Sequence, residues 1–331
     1  MIVLGIESTC DETACAIVKG GKEILSHVVF SQTAIHKPFN GVFPELACRQ
    51  HIDAIIPVVK MALDQAGIKP SEINLVAAAK GPGLIGALLI GLNAAKALAY
   101  GWNIPFIGVN HVEAHLYAAM MPLNKIPLPS MGLVISGGHT FIVKIEGLGR
   151  YIPLATTRDD AVGEAFDKVA VLLGLPYPGG PEIEKLALSG DAKRFAFKPG
   201  RVKTHPLDFS FSGLKTGVLY TVRELGTLSF QDKADIAASF QETALLDLVH
   251  KATQAAIQEG CSTLFCGGGV SNNNRLKKLF QSHSPLTVHY PPATLTVDNA
   301  AMIAGLGFHT YTSQGHSDPL DLCPSTRIPL A

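Results

Sequence analysis

The feature that most narrows the fold is a repeated one: twice, two short apolar strands flank a polar turn. Residues 2–6 and 14–18 flank Glu7-Ser8-Thr9-Cys10-Asp11-Glu12-Thr13, and residues 131–136 and 141–145 flank Ser136-Gly137-Gly138-His139-Thr140. The halves read as duplicates. After each pair, a buried strand runs through a glycine-rich turn into a helix. In the first half, residues 75–79 lead through Lys80-Gly81-Pro82-Gly83 to a helix ending near Tyr100; in the second, residues 263–266 lead into Gly267-Gly268-Gly269-Val270-Ser271. This order predicts an α/β chain of two like halves. With 331 residues, 47% of them apolar, each half has enough material for its own core.

A strand at residues 106–109 delivers His111 at its carboxyl end, where ligands usually bind in such sheets. His111 and His115 are four apart, so on a helix they lie about 40° from each other and can hold one metal ion. The same spacing also serves two polar residues on a surface helix. A zinc peptidase places a glutamate directly after the first histidine, as base for the metal-bound water. Here Glu113 comes one position late, about 180° from the midpoint of the pair, and cannot act on water held there. Asp298, before Asn299-Ala300-Ala301-Met302, is either the N-cap of a last helix or a third ligand.

Lys plus Arg equals Asp plus Glu at 27 each, so no global field advertises nucleic acid. One local patch stands out: Lys193, Arg194, Lys198, Arg201 and Lys203 with Phe195 and Phe197, without an acid among residues 193–203. It suits a nucleic-acid backbone and its bases, or simply a solvated loop. The six cysteines form no Cys-x-x-Cys pair, which argues against a zinc ribbon or redox site and for reduced thiols. No basic leader opens the chain, and its longest apolar segment, residues 84–92, is too short to span a bilayer.

Other polar features gather in the second half. Gly137 and Gly138 allow backbone N–H groups to approach an anion, with Ser136 and Thr140 hydroxyls beside them. Residues 159–168 read as a helix with Asp159 and Asp160 in its first turn as capping acids. Asp167, in the helix body, and Glu184, one turn beyond Tyr177-Pro178-Gly179-Gly180-Pro181, are free to face a cleft. The turn at residues 267–274 offers an Asn side chain to a sugar or base.

Taken together and in order, Gly5-Ile6-Glu7-Ser8-Thr9-Cys10-Asp11-Glu12-Thr13, Pro44-Glu45-Leu46-Ala47, Gly81-Pro82-Gly83-Leu84, His111-Val112-Glu113-Ala114-His115, Ser136-Gly137-Gly138-His139-Thr140, Gly163-Glu164-Ala165-Phe166-Asp167-Lys168, residues 208–216, Gly268-Gly269-Val270-Ser271 and Asp298-Asn299-Ala300-Ala301-Met302 resemble the bacterial TsaD family. These are the tRNA N6-adenosine threonylcarbamoyltransferases, formerly O-sialoglycoprotein endopeptidases. The resemblance implies a duplicated actin-like or Hsp70-like ATPase fold, two lobes with mixed sheets flanked by helices and a cleft between them. It implies an N-terminal lobe at residues 1–127, onto which a helix near 298–315 packs back, and a C-terminal lobe at 128–331. The implied reaction moves threonylcarbamoyl from threonylcarbamoyl adenylate to N6 of the adenosine 3′ of the anticodon, in tRNAs reading codons that begin with A, with release of AMP.

By the same resemblance, His111, His115 and Asp298 hold one transition-metal ion per chain, iron(II) first and zinc(II) second. Val134, Ile135, Ser136, Gly137, Gly138, Asp167, Gly180, Glu184 and Asn273 bind the adenylate. Asp11 and Glu12 are the candidates for the general base. Implied partners are tRNA, a TsaB-like paralogue and a TsaE-like ATPase, in the cytoplasm and away from any membrane. The chain departs from relatives at Val134, where archaeal and eukaryotic members carry a metal-reaching tyrosine, and at Asn40, Phe43, Cys48 and Asn272. The competing functional readings are a metal-dependent peptidase, an ATP-dependent kinase or chaperone-like switch, and a non-catalytic nucleotide-binding scaffold subunit.

Overall fold

The computed structural model describes residues 1–39 and 41–330; Asn40 and Ala331, the end of the expected second lobe, lie outside the described residues. The first 126 residues run β1 (Ile2–Glu7), β2 (Glu12–Lys19), β3 (Glu23–Ser31), α1 (Thr33–His36), α2 (Pro44–Ala66), β4 (Leu75–Gly81), α3 (Ile85–Trp102), β5 (Phe106–Asn110) and α4 (His111–Met120). The next stretch runs β6 (Ser130–Ile135), β7 (Thr140–Gly147), β8 (Arg150–Thr156), α5 (Val162–Leu172), α6 (Gly179–Ala187), α7 (Ser212–Leu225), α8 (Phe230–Gln258), β9 (Thr263–Gly267), α9 (Asn274–His283) and β10 (Thr287–His289). The last helix is α10 (Ala300–Gln314).

The two sheets have one topology. The first is ordered β3-β2-β1-β4-β5, and the second, read from its other edge, is β8-β7-β6-β9-β10. In each, a hairpin supplies the antiparallel part, β1 with β2 and β6 with β7, while β4 and β9 add parallel to the central strand. Parallel neighbours need helical crossovers, so these sheets are mixed and flanked by helices. The polar turns of the sequence are the links of the two hairpins, at the carboxyl ends of the central strands β1 and β6.

Two compact units follow from this arrangement: residues 1–126, 147–150 and 291–331 form the first, and residues 127–146 and 151–290 the second. From residue 291 onward the chain belongs to the first unit again. The return is close. A Cβ on Gly5 would stand 2.4 Å from the Ala300 carbonyl oxygen and 2.7 Å from the Ala304 nitrogen, so β1 lies directly against α10. Residues 300–307 of α10 are all buried, so its first half is a core helix, while residues 308–314 are half-buried to exposed.

On the other face of the first sheet, Leu4, Ile6, Ile17, Ile55, Val58, Val59, Leu92 and Phe106 pack into one core. Helix α3 belongs to it through Leu92, Ala95 and Ala99. Among the described helices it alone is long and apolar enough to cross a membrane, at 18 residues and mean hydropathy 1.2, a longer run than residues 84–92 suggested. Phe166, Phe240, Leu245, Val249, Leu276 and Phe280 anchor the core of the second unit.

Candidate functional site

Within the first unit, β5 ends at Asn110, whose side-chain oxygen accepts hydrogen bonds from the Val112 and Glu113 amides and so caps α4. The next residue is His111, and His115 follows on the same face, their rings meeting edge to face with centroids 4.6 Å apart. At the start of α10, Asn299 is the N-cap, accepting from the Met302 amide, which frees Asp298 from the capping role the sequence allowed it. Asp298 Oδ1 lies 3.0 Å from His115 Nε2 and 3.5 Å from His111 Nε2. Ligand atoms of the three residues all fall within 4.8 Å of one another.

This arrangement fits a metal ion. An ion held about 2.0–2.1 Å from each donor at tetrahedral angles needs donors about 3.3 Å apart, a spacing that the two measured distances bracket. His115 Nδ1 is buried without a hydrogen-bond partner. Carboxylates also crowd here without enough cationic charge. Burial pushes the Glu12 carboxyl up to about 10, helped by Asp298 and Asp11. Burial works against an imidazolium at His111, but Glu7 and Asp298 outweigh it and push that group up to about 9. In the ion-free protein burial and the neighbouring acids thus favour the protonated form of Glu12.

Glu7 was not singled out by the sequence. Its side chain is fully buried at the end of β1, with Oε2 accepting from His111 Nδ1 at 2.9 Å. The signal was there: an acid closing a central strand whose other residues are apolar or glycine. Glu113, by contrast, lies where the helical geometry put it, its carboxylate accepting from the Gly149 amide at 2.9 Å.

The second unit gathers the remaining candidates around the carboxyl ends of β6 and β9. Val134 and Ile135 are fully buried residues of the central strand β6, and neither presents a side chain to a ligand. In the turn that follows, the Ser136 amide donates to the His139 carbonyl and Ser136 Oγ accepts from the His139 amide. A Cβ on Gly137 or Gly138 would meet nothing within 4 Å, so no internal packing requires these glycines and their backbone stands open to a ligand. Thr140 does not share that open face. It is buried, and its hydroxyl accepts from the Val162 amide at the start of α5.

Asp167 Oδ1 accepts from the Gly179 amide at 2.7 Å, tying α5 to the first turn of α6, where Gly180 sits. Glu184, on α6, accepts from the backbone and side-chain nitrogens of Asn274. Asn273 is largely committed to structure: its oxygen caps α9 through the Leu276 amide and its nitrogen donates to Gln241. Helices α5, α6 and α9 all begin around this region, and helix N-termini favour anions. Beside it lies a depression of about 850 Å³ lined by Pro181, Glu184, Lys185, Gln241, Asn274 and Arg275, among others.

The acids expected to cap a helix do something else. Ala161 is the N-cap of α5, and Asp159 instead accepts from the Phe211 and Ser212 amides and the Ser210 and Ser212 hydroxyls. Asp160 pairs with Lys168 and Lys215. In the basic segment, Arg194 is paired with Asp232 and Asp235, and Phe195 and Phe197 pack on the core of the second unit. Arg194 is exposed despite these pairs, as are Lys193, Lys198, Arg201 and Lys203.

Duplicated sheets of this order, with helices beginning at the carboxyl ends of parallel strands, define an actin-like ATPase fold carrying a His-His-Asp cluster in one repeat. Solved structures with this fold include HypF of T. kodakarensis, with TM-score 0.62 at 15% identity over 97% of this chain and 49% of that one. Component A of the (R)-2-hydroxyglutaryl-CoA dehydratase of Acidaminococcus fermentans gives TM-score 0.55 at 15% identity over 94% of this chain and 99% of that one.

The chain belongs to the TsaD family, tRNA N6-adenosine threonylcarbamoyltransferase, whose profile matches residues 23–305. It is 59% identical to the protein of that name from Protochlamydia amoebophila, over 100% of this chain and 98% of the relative. It is 45% identical to the one from Syntrophobacter fumaroxidans, over 99% of both, and 44% identical to the one from Chlamydia pneumoniae, over 98% of this chain and 95% of the relative.

Proposed function

We propose that this enzyme transfers threonylcarbamoyl from threonylcarbamoyl adenylate to N6 of the adenosine 3′ of the anticodon, in tRNAs reading codons that begin with A. What carries the reading is the convergence of His111, His115 and Asp298 in a full-length member of this family. The adenine amine attacks the carbamoyl carbon, the bond from that carbon to the phosphate oxygen breaks, and AMP leaves with the electron pair. The amine is a poor nucleophile because its lone pair is delocalised into the ring.

His111, His115 and Asp298 would hold one ion, iron(II) or zinc(II). When bound, such an ion supplies Lewis acidity that polarises a carbonyl. The chain's own part is binding and orientation. The open backbone at Gly137 and Gly138, in the turn that begins at Ser136, takes the phosphate, assisted by the N-terminus of α5, and so favours AMP as leaving group. Gly180, Glu184 and the turn at Asn273 receive the nucleoside beside the depression on α6. Asp11 accepts the amine proton.

A TsaB-like paralogue and a TsaE-like ATPase complete the proposed system, in the cytoplasm with tRNA. For the paralogue we assign the apolar face formed by Ile52 and Ile56 on α2 and Ile85 and Leu89 on α3, all exposed. Ile55, Val58, Val59 and Ala62, nearby in sequence, are core. A peptidase is disfavoured by Glu113, which faces Gly149 and not the histidine pair. The test supplies the purified chain with its helpers, threonine, bicarbonate, ATP and unmodified tRNA, and digests the tRNA to nucleosides. Threonylcarbamoyladenosine supports the assignment; its absence, with the adenylate demonstrably made, removes it.

A further inference from the structure

Glu7 has no part in the ligand set and yet is the best-held side chain beside it. Its carboxylate is fully buried, and both oxygens are committed: Oε2 accepts from His111 Nδ1 at 2.9 Å and Oε1 accepts from the Thr9 amide at 2.6 Å. The turn carrying this amide has little slack. The Thr9 carbonyl accepts from the Leu84 amide at 2.8 Å, and a Cβ on Gly83 would stand 2.6 Å from that oxygen. Behind it, fully buried His51 donates from Nε2 to the Cys10 carbonyl at 3.0 Å and accepts at Nδ1 from the Thr13 hydroxyl at 2.8 Å.

A carboxylate is only an acceptor, so it fixes the proton of a neutral His111 on Nδ1 and leaves the Nε2 lone pair free. Nε2 is the nitrogen turned toward Asp298, at 3.5 Å. His115 has no equivalent, for its Nδ1 is buried without a partner. We infer that Glu7 is the positioning residue of the metal centre: it sets the tautomer of His111 and thereby makes Nε2 the metal-binding atom. The inference rests on the metal reading above and adds a role for a residue outside the ligand set.

The consequence is an unusual order of variants. In Glu7→Gln the Thr9 amide still needs an oxygen, so the new amide nitrogen must face His111. That nitrogen is a donor; it forces the imidazole proton onto Nε2 and blocks the lone pair. Glu7→Ala merely leaves the tautomer unset. Competition of zinc(II) between the full chain and a chromophoric chelator should therefore show E7Q binding about 10–100-fold more weakly than the wild type, with E7A between them. A purely structural role predicts the reverse, since E7Q keeps the shape and E7A does not. E7A weaker than E7Q, or E7Q equal to the wild type, overturns the inference.

Should E7Q fail to fold, ¹⁵N spectra of His111 in the zinc-loaded wild type decide the matter. A protonated Nδ1 is expected, and an unprotonated one overturns the inference. Wild-type zinc binding that His111→Ala leaves intact has a different meaning: it brings down the metal reading itself, and the role of Glu7 with it.

Discussion

Asn299 offers a quantitative test of how the fold presents Asp298. It is fully buried; its oxygen accepts from the Met302 amide at 3.0 Å, and its nitrogen donates to the Leu295 and Val297 carbonyls at 3.1 and 2.9 Å. Replacement by alanine removes the α10 cap, at ~1 kcal/mol, and strips two carbonyls of a donor, at ~1 kcal/mol each at the low end. The sum is about 3 kcal/mol. At about 2–4 °C per kcal/mol for domains of 150–250 residues, the first unit should melt ~6–12 °C lower.

Because Asp298 lies between the clamped Val297 carbonyl and the cap, metal affinity should fall along with stability. Asn299→Ser should restore the cap but not the two clamps, and so recover about one third of the loss. Calorimetry of the ion-free chain gives the first quantity and chelator competition the second. An N299A protein melting within ~2 °C of the wild type would show that the three bonds are not the anchor of this loop.

Other perturbations probe separate parts of the account. Asp11→Asn should cut turnover with little change in adenylate affinity; unaltered turnover removes Asp11 as the base. Asp159 and Asp160 titrate below the usual carboxylate range. Burial works to raise both, but hydrogen bonds from Ser210, Ser212 and the Phe211 and Ser212 amides outweigh it at Asp159, as Lys168 and Lys215 do at Asp160.

Depressed folded values mean that this stabilisation is full above the unfolded value of about 3.9 and fades as pH falls through the folded ones. Asp159→Asn with Asp160→Asn should thus be less stable at neutral pH and lose less than the wild type below about pH 4. Parallel pH profiles would refute this. Reversing Lys198, Arg201 and Lys203 to glutamate should weaken tRNA retention and lower the salt-dependence slope by about 2; unchanged binding removes the segment from the tRNA surface.

Much of the frame was legible because the chain repeats itself. The polar turns between β1 and β2 and between β6 and β7 occupy matching places in two sheets of one topology. The His111-His115 spacing likewise fixed one helix face. Adjacent residues competing for one role were harder. Asp298 and Asn299 were equal N-cap candidates by type, and only the Asn299 contacts with Leu295, Val297 and Met302 decide between them.

Asp159 and Asp160 resembled helix-start acids, but their partners at residues 210–215 lie some fifty residues on, beyond any local pattern. Phe195 and Phe197 looked available for base stacking because composition cannot reveal that they cover a core. Strands β8 and β10 escaped notice for lack of an apolar run, their residues being in part exposed. Glu7 was hidden among the acids of its own turn, since only its full burial sets it apart from the half-buried Asp11 and Glu12, and that burial depends on β1 being the central strand.

The most direct test of the account is the metal content of the chain purified without chelator, measured by elemental mass spectrometry beside His111→Ala, His115→Ala and Asp298→Ala proteins that retain the wild-type fold. The account predicts one iron or zinc ion per wild-type chain and its loss from all three variants. Variants that keep the ion, or a wild-type chain that holds none after incubation with iron(II) or zinc(II), would contradict it.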